Sequence, residues 1–450
     1  MPTLSPAPPT TSPRWQQLLT RLHAARATTD ALFALLRPEA FYDRAVVERH
    51  RLIFYRGHFE AFDWNLLGRR LGNLPAFDAD FDQLFAFGID PVDGQLPRDQ
   101  PADWPARERV EAYVDRVRAE LDRTLADLGA REPGFDGVPA AFLLETALEH
   151  RLMHAETFAY LLHELPQDRK LAPPLRAATA ATTVAPRLVT IPAGDALLGQ
   201  ARVSGAFGWD NEFEATTVAV PEFAIASTKV SNGEFLAFVR AGGYAEPGWW
   251  TPEAWSWLQQ RGIRHPHFWS ARADGGWDYR GMFANRPLPM AWPVYVSHAE
   301  ASAYARFRGL RLPSEAEWHR AALGGRARPA PYPWGEATPG REHGNFDFQS
   351  WDPTPVGAFP AGASAHGLFD AVGNGWEWTA TVFAPLPGFQ AFPFYPGYSA
   401  NFFDGRHYVL KGGSPRTAAC MLRGSFRNWF QPHYPYLYAG FRCVSAAAAA

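Results

Sequence analysis

The chain has 450 residues, 47% of them hydrophobic, a formal net charge of −3 and only 2 cysteines. That length calls for more than one core, so two domains are expected. The near-balanced charge points away from nucleic-acid and anionic-membrane partners, and Cys420 and Cys443, with no CxxC pair, exclude a disulfide framework and disfavour a thiolate zinc site.

Residues 1–13, within MPTLSPAPPTTSPRW, are Pro/Ser/Thr-rich without an apolar run, so they read as a disordered lead-in rather than a signal peptide. No stretch has the length and apolarity to span a bilayer, and a reduced, cytoplasmic protein is expected. Residues 14–165 read as helical. WQQLLTRLHAARATTDALFALL places apolar residues at three- and four-residue spacing. Further helices begin near Val46 and near Ala106. Another, in VPAAFLLETALEHRLMHAETFAYLLHELP, ends at Pro166. Four such helices predict an antiparallel bundle, a common setting for metal sites built from facing side chains. Between them, FAFGIDPVDGQLPRDQPADWP is a long loop of the kind that caps a cavity or carries function.

Residues 166–187 shift to Ala, Pro and Thr and read as a linker. From 188 to 445 the helical period gives way to short runs such as RLVTIPAGDALLG and YVLKGGSP among Gly, Pro, Asn and aromatic residues. Only SNGEFLAFVRAG and SHAEASAYARFRG read as helices there, so an α+β domain with long loops is expected, followed by a frayed alanine tail.

The sharpest chemistry lies in EHRLMHAE. His150 and His154 are four residues apart on a helix, so both rings project from one face toward a single ion. Glu156 points elsewhere and suits a supporting role, and His163 reads as structural. A third ligand must come from another helix, and His58, in the apolar-aromatic context IFYRGHFEAFDWN, is the candidate. Three neutral imidazoles with open coordination positions suit zinc, iron, nickel or copper alike. The bland alternative is a surface histidine pair beside a hydrogen-bonded core histidine.

Two resemblances then meet in one chain. The helical half, with a lone upstream His followed by HxxxHxE, resembles the DinB-type bundle of ergothioneine sulfoxide synthases. The second half resembles the formylglycine-generating-enzyme (sulfatase-modifying factor, C-type-lectin-like) fold. Its carrying segments are IPAGDALLG, FGWDNE, VSNGEFLAFV, PVYVSHAEASAYARFRGLRLPSEAEWHRAA, YPWGE, GNFD, AVGNGWEWTA, YVLKGGSP and AGFRCV. The synthase resemblance implies Fe(II) on His58, His150 and His154, and O2 as co-substrate. It also implies coupling of the imidazole C2 of hercynine to the sulfur of a thiol. A structural calcium ion is allowed, but no ligand set can be assigned to it. FRNWF matches the family's FRNW motif and implies that Arg427, Asn428 and Trp429 contact hercynine, an aromatic face suiting its quaternary ammonium. Where the family often has Gln before the second helix histidine, this chain has Met153. The family's active-site tyrosine is expected at Tyr395 or Tyr398 in FYPGYSANFF.

One departure bears on the second substrate. Synthases that take γ-glutamylcysteine carry Asp directly after FRNW and Arg four residues later, positions held here by Phe430 and Tyr434. A buried carboxylate without its arginine is costly, so an amino-acid thiol is poorly served, whereas Tyr434, Tyr436 and Tyr438 suit a neutral sugar. The pattern resembles the selenoneine synthase branch, which joins hercynine to a selenosugar through a selenoxide. A cysteine- or γ-glutamylcysteine-using synthase is the alternative. A copper-dependent formylglycine-generating oxidase would need a close cysteine pair after its RGGS-like turn, and KGGSPRTAACMLRGS offers only Cys420. The remaining alternatives are a zinc- or nickel-dependent thiol transferase of DinB type, an ovothiol-type synthase and a non-enzymatic lectin-like binding module. Small-molecule partners and a monomer or weak homo-oligomer are expected. Trp376, Trp378, Glu315, Glu317 and Trp318 are assigned to architecture.

Overall fold

Ser12 opens the first helix: its hydroxyl accepts the Trp15 N–H at 3.3 Å, and Pro13 follows at the first helical position. The computed structural model describes residues 12–86, 96–128, 134–173, 184–325 and 330–446. The lead-in 1–11, the loop centre 87–95, residues 174–183 of the expected linker and the tail beyond 446 lie outside the described residues. The chain divides into two compact units, Met1–Leu175 and Arg176–Ala450.

The first unit is helical: α1 (Pro13–Phe33), α2 (Leu52–Asp63), α3 (Ala79–Leu84), α4 (Arg107–Leu128) and α5 (Ala140–Glu164). α2 runs on as a π-helical segment, Trp64–Leu71, and a two-residue hairpin pairs β1 (Gly134–Phe135) with β2 (Val138–Pro139) ahead of α5. α1 packs on α5 and α2 on α4 and α5, giving the expected bundle of four long helices plus the short α3. α5 is buried on nearly all sides, because Leu143, Leu144, Ala147, Phe158 and Leu162 point in several directions around it. The helix expected near Val46 begins instead at Leu52. Arg51 is extended and tied to Asp99 and to the Tyr42 carbonyl, which the local pattern does not reveal. Residues 167–171 belong to the first unit rather than to a linker: Leu36 bridges Lys170, and the Leu171 N–H donates to the Leu35 carbonyl at 2.8 Å.

The second unit holds β3 (Leu188–Ile191), β4 (Gly194–Leu198), β5 (Thr216–Val220), β6 (Phe223–Ala226), α6 (Asn232–Arg240), α7 (Pro252–Arg261), β7 (Trp269–Ala271), β8 (Trp277–Arg280) and β9 (Asn285–Pro287). These are followed by α8 (His298–Phe307), α9 (Glu315–Leu323), β10 (Trp376–Val382), β11 (Tyr408–Lys411), β12 (Asn428–Phe430), β13 (Ala439–Gly440) and β14 (Val444–Ala446). One sheet runs β12-β11-β10-β13, antiparallel except for β10 with β13. A second runs β14-β6-β3 and a third β7-β8-β9, while β4 pairs with β5. Two of its helices, α7 and α9, were not expected from the sequence. Both carry a clear start: Thr251 caps α7 with Pro252 after it, and Ser314 with Glu317 forms a capping box on α9.

Buried ion pairs hold these short elements. Glu377 on β10 accepts from Lys229 at 2.8 Å, from Arg442 at 2.6 and 2.7 Å, and from the Trp318 indole at 3.1 Å. The expected architectural role of Glu315 and Glu317 agrees with their contacts, Glu315 pairing with Arg427 and Glu317 with Ser314 and Arg311. Both cysteines are free, Cys443 buried with its thiol pushed up to about 12 by that burial, and Cys420 half-buried. Among the described residues no helix is long and apolar enough to cross a membrane.

Candidate metal centre and aromatic site

The first site is built by two helices. One turn of α5 separates His150 from His154, and α2 delivers His58 opposite them; all three are buried. Their ligand atoms lie within 4.8 Å of one another, and the ring centroids are 5.2, 4.8 and 4.4 Å apart. Glu156 is not in this group, and among the described residues no second group of three such close His, Cys, Asp or Glu side chains occurs.

The surroundings prepare the histidines to bind a cation. His58 Nδ1–H donates to the Phe85 carbonyl at 2.7 Å, which fixes the tautomer and leaves Nε2 to face the cluster. Phe85 sits close because residue 57 is glycine: a Cβ there would meet the Phe85 ring at 2.4 Å. Phe62 stacks flat on His150, with ring centroids 3.4 Å apart, and holds that ring's plane. Burial lowers the His58 pKa to about 4 and pushes His150 and His154 well below the usual imidazole range, the neighbouring histidines adding to the effect. All three are therefore neutral near pH 7, the form that ligates. The buried Nε2 of His58 and Nδ1 of His154 meet no hydrogen-bond partner in the protein. Three neutral nitrogens converging in a buried site, with no carboxylate among them, fit a divalent transition metal with open positions.

Sequence reasoning did not single out Gly57 or Phe85 for this site. The long loop starting at Phe85 was the available signal, and its first carbonyl is the one His58 uses.

The second unit gathers the remaining expected residues around Trp429. Its indole stacks on Phe383 at 4.3 Å and 6°, and Tyr398 stands edge-on to it at 5.4 Å. Tyr398 in turn stacks on Trp209 at 4.0 Å, and Tyr395 lies 5.5 Å from Tyr398. Burial and the neighbouring Asp210 carboxylate push the Tyr395 phenol up to about 12. Asn428 Oδ1 accepts the Trp429 N–H at 2.9 Å. Phe430 stacks on Tyr434 at 5.2 Å, and Tyr436 meets Tyr434 edge-on at 5.0 Å. Two expectations are corrected here. Arg427 is buried against Glu315 at 3.0 and 3.1 Å and against the Ala384 carbonyl, so it supports β12 rather than reaching a substrate. Tyr438 is core, packed among Phe268 and Tyr295, and is not part of the Tyr434–Tyr436 surface.

Fold and site together define a two-unit metalloenzyme class, a DinB-type bundle with a three-histidine centre followed by a sulfatase-modifying-factor domain. Residues 21–158 match the DinB superfamily, and residues 175–447 match the sulfatase-modifying factor enzyme 1-like domain. The hercynine oxygenase of Mycolicibacterium smegmatis is 37% identical, covering 77% of this chain and 78% of that protein. Ergothioneine biosynthesis protein 1 of Neurospora crassa is 26% identical, covering 93% of this chain and 56% of its own length. A formylglycine-generating enzyme of Thermomonospora curvata is 34% identical and covers 58% of this chain and 94% of that protein. The chain belongs to the hercynine oxygenase family, the nonheme-iron sulfoxide synthases of ergothioneine biosynthesis, and is an enzyme of that oxidoreductase type.

Proposed function

We propose that this enzyme couples C2 of the hercynine imidazole to a chalcogen donor in an O2-dependent reaction, and that the donor is a selenosugar. The balance is simple. The C2–H and Se–H bonds are lost, one oxygen atom of O2 enters the selenoxide, and the other leaves as water with both hydrogens.

Iron(II), held by His58, His150 and His154, would supply the oxygen chemistry and a common centre for the reactants. The remaining roles belong to side chains of this chain. The Trp429 face and Asn428 would hold the hercynine betaine by cation–π attraction and hydrogen bonding. Tyr398, edge-on to Trp429, or Tyr395 beside it would serve as the proton-bearing hydroxyl, a phenol being protonated at neutral pH. Phe62 and the Phe85 carbonyl keep two of the histidine rings oriented, so that binding replaces a three-body encounter with an ordered one.

The observation that carries the donor assignment is the Phe430–Tyr434 stack, standing where γ-glutamylcysteine users have Asp and Arg. With Tyr436 beside it, this surface offers ring faces and hydroxyls. A second reading, sulfur transfer from cysteine or γ-glutamylcysteine, is favoured by the likeness to hercynine oxygenase and ergothioneine biosynthesis protein 1. We place the enzyme in the cytoplasm, acting on small molecules as a monomer or weak homo-oligomer.

The test is a competition: Fe(II)-loaded enzyme, hercynine and O2 with cysteine, γ-glutamylcysteine, a thiosugar and a selenosugar, read by mass spectrometry. Exclusive coupling of the sugar donors supports the proposal. A win for either amino-acid thiol transfers the assignment to the second reading, and no product with any donor removes both. Replacing Phe430 with Asp and Tyr434 with Arg together is expected to move the kcat/KM ratio toward γ-glutamylcysteine by about tenfold or more, the scale of one well-made charge pair.

A further inference from the structure

Behind the three histidines lies a chain of alternating charges that no ligand role explains. It begins on the half-exposed Glu111 of α4 and passes to Arg56 of α2 at 2.6 Å, then to Asp30 of α1 at 2.7 Å. From Asp30 it continues to Arg118 of α4 at 2.7 Å and to Glu60 of α2 at 2.8 Å. It ends on Arg151 of α5, which bonds Glu60 at 2.7 and 3.0 Å and Asp63 at 2.6 Å. Its outer members Glu111 and Asp30 are 30% and 40% exposed, whereas Arg151 and Asp63 at the inner end are fully buried. All four long helices are joined by it.

The inner end adjoins the metal ligands in sequence. Glu60 is two residues past His58, and Arg151 directly follows His150. Glu60 lies about 200° around α2 from His58, so it backs the site and cannot ligate. Buried ion pairs are an inefficient way to stabilise a bundle, since apolar side chains of the same volume commonly do as well or better. What a bidentate guanidinium–carboxylate pair adds is direction. Apolar helix faces tolerate small slides and rotations, whereas Arg151 closed on both Glu60 and Asp63 permits one register of α5 on α2. That register sets how far His58 stands from His150 and His154.

We infer that Glu60 and Arg151 are positioning residues, which set the spacing of the three-histidine centre by locking α5 to α2. The inference rests on the metal reading of that centre. The experiment uses the full chain loaded with Co(II), whose visible spectrum reports ligand geometry. Affinity is measured by chelator competition and the fold by thermal unfolding of the metal-free protein. Arg151→Lys and Glu60→Gln are expected to keep a cooperative unfolding transition. Both should weaken Co(II) binding by about 10–100-fold, the usual effect of losing a supporting contact, and alter its spectrum. Glu111→Gln, at the outer end, should leave the spectrum unchanged. If the single variants do not fold, the triple variant Glu60→Met, Asp63→Met and Arg151→Met removes the buried charges together and carries the same expectation. Variants that fold and bind Co(II) with wild-type affinity and spectrum overturn the inference while leaving the metal reading intact. Wild-type protein that takes no Co(II) overturns both.

Discussion

In the helical unit, His150 and His154 keep their spacing because one turn of α5 separates them, and only His58 has to be brought in from elsewhere. In the second unit, Trp429 has no such help. It sits on the three-residue strand β12, and its neighbours Phe383, Tyr398 and Phe402 come from loops and a short turn scattered along the chain. The first arrangement relies on backbone hydrogen bonds within one helix. The second relies on buried ion pairs that pin loops: Glu377 to Lys229 and Arg442, Glu315 to Arg427, Glu212 to Arg423. Within the helical site the His150–His154 spacing is therefore carried by α5 alone and only the approach of His58 depends on contacts between helices, whereas every part of the loop-built site depends on the charges beneath it.

The largest expected effect strikes the helical site itself. Replacing His58, His150 or His154 with Ala should abolish stoichiometric iron binding and turnover, while the bundle still unfolds cooperatively. Metal analysis beside circular dichroism would check this, and near-normal activity in any of the three would end the metal assignment. Next comes the loop-built unit. Glu377→Ala leaves Lys229 and Arg442 buried without their carboxylate and should cost about 3–5 kcal/mol in denaturant unfolding. A cost below about 1 kcal/mol would mean that the loops do not depend on that triad.

Gly57→Ala tests how closely the helical site is fitted. The added methyl meets Phe85, so about 2–3 kcal/mol of stability should be lost through overpacking, together with part of the metal affinity as the Phe85 carbonyl leaves His58. Unaltered affinity would show that the carbonyl is not needed to orient the ring.

The smallest effect concerns Asp210, whose carboxyl is pushed by burial from its ordinary 3.8 up to about 6, despite its bond from Ser399. A carboxyl with a raised folded pKa holds its proton more tightly in the native state, so native stability falls as pH rises from about 4 through 6. Asp210→Asn stays neutral throughout. Its stability advantage over wild type should be small near pH 4, grow to on the order of 2 kcal/mol above pH 6, and then level off. Thermal melts of both proteins across that range would show it, and a difference independent of pH would contradict the assignment.

Much of this molecule can be read before it folds. The HxxxH spacing, the apolar period of the four helices and the ordered motifs of the second half are local features, governed by helix geometry and by which residues can occupy turns. They were enough to pair His150 with His154 and to divide the chain in two, while His58 joined them as a candidate through its apolar-aromatic context and the family resemblance. The sequence also carried the starts of α7 and α9 in Thr251–Pro252 and Ser314–Glu317, signals that periodicity alone passes over.

Other features depend on residues far apart in the chain. Arg427 and Tyr438 sit in motif-like segments next to half-buried aromatics, and only packing shows that one pairs with Glu315 and the other lies in the core. The start of α2 at Leu52 depends on Asp99, and the His58 tautomer depends on Phe85 and on the absence of a side chain at Gly57. Helix period and metal-ligand spacing are properties of a few consecutive residues, so the sequence by itself determined them. Burial and partner choice arise when distant segments compete for the same space, and those only the tertiary structure could decide.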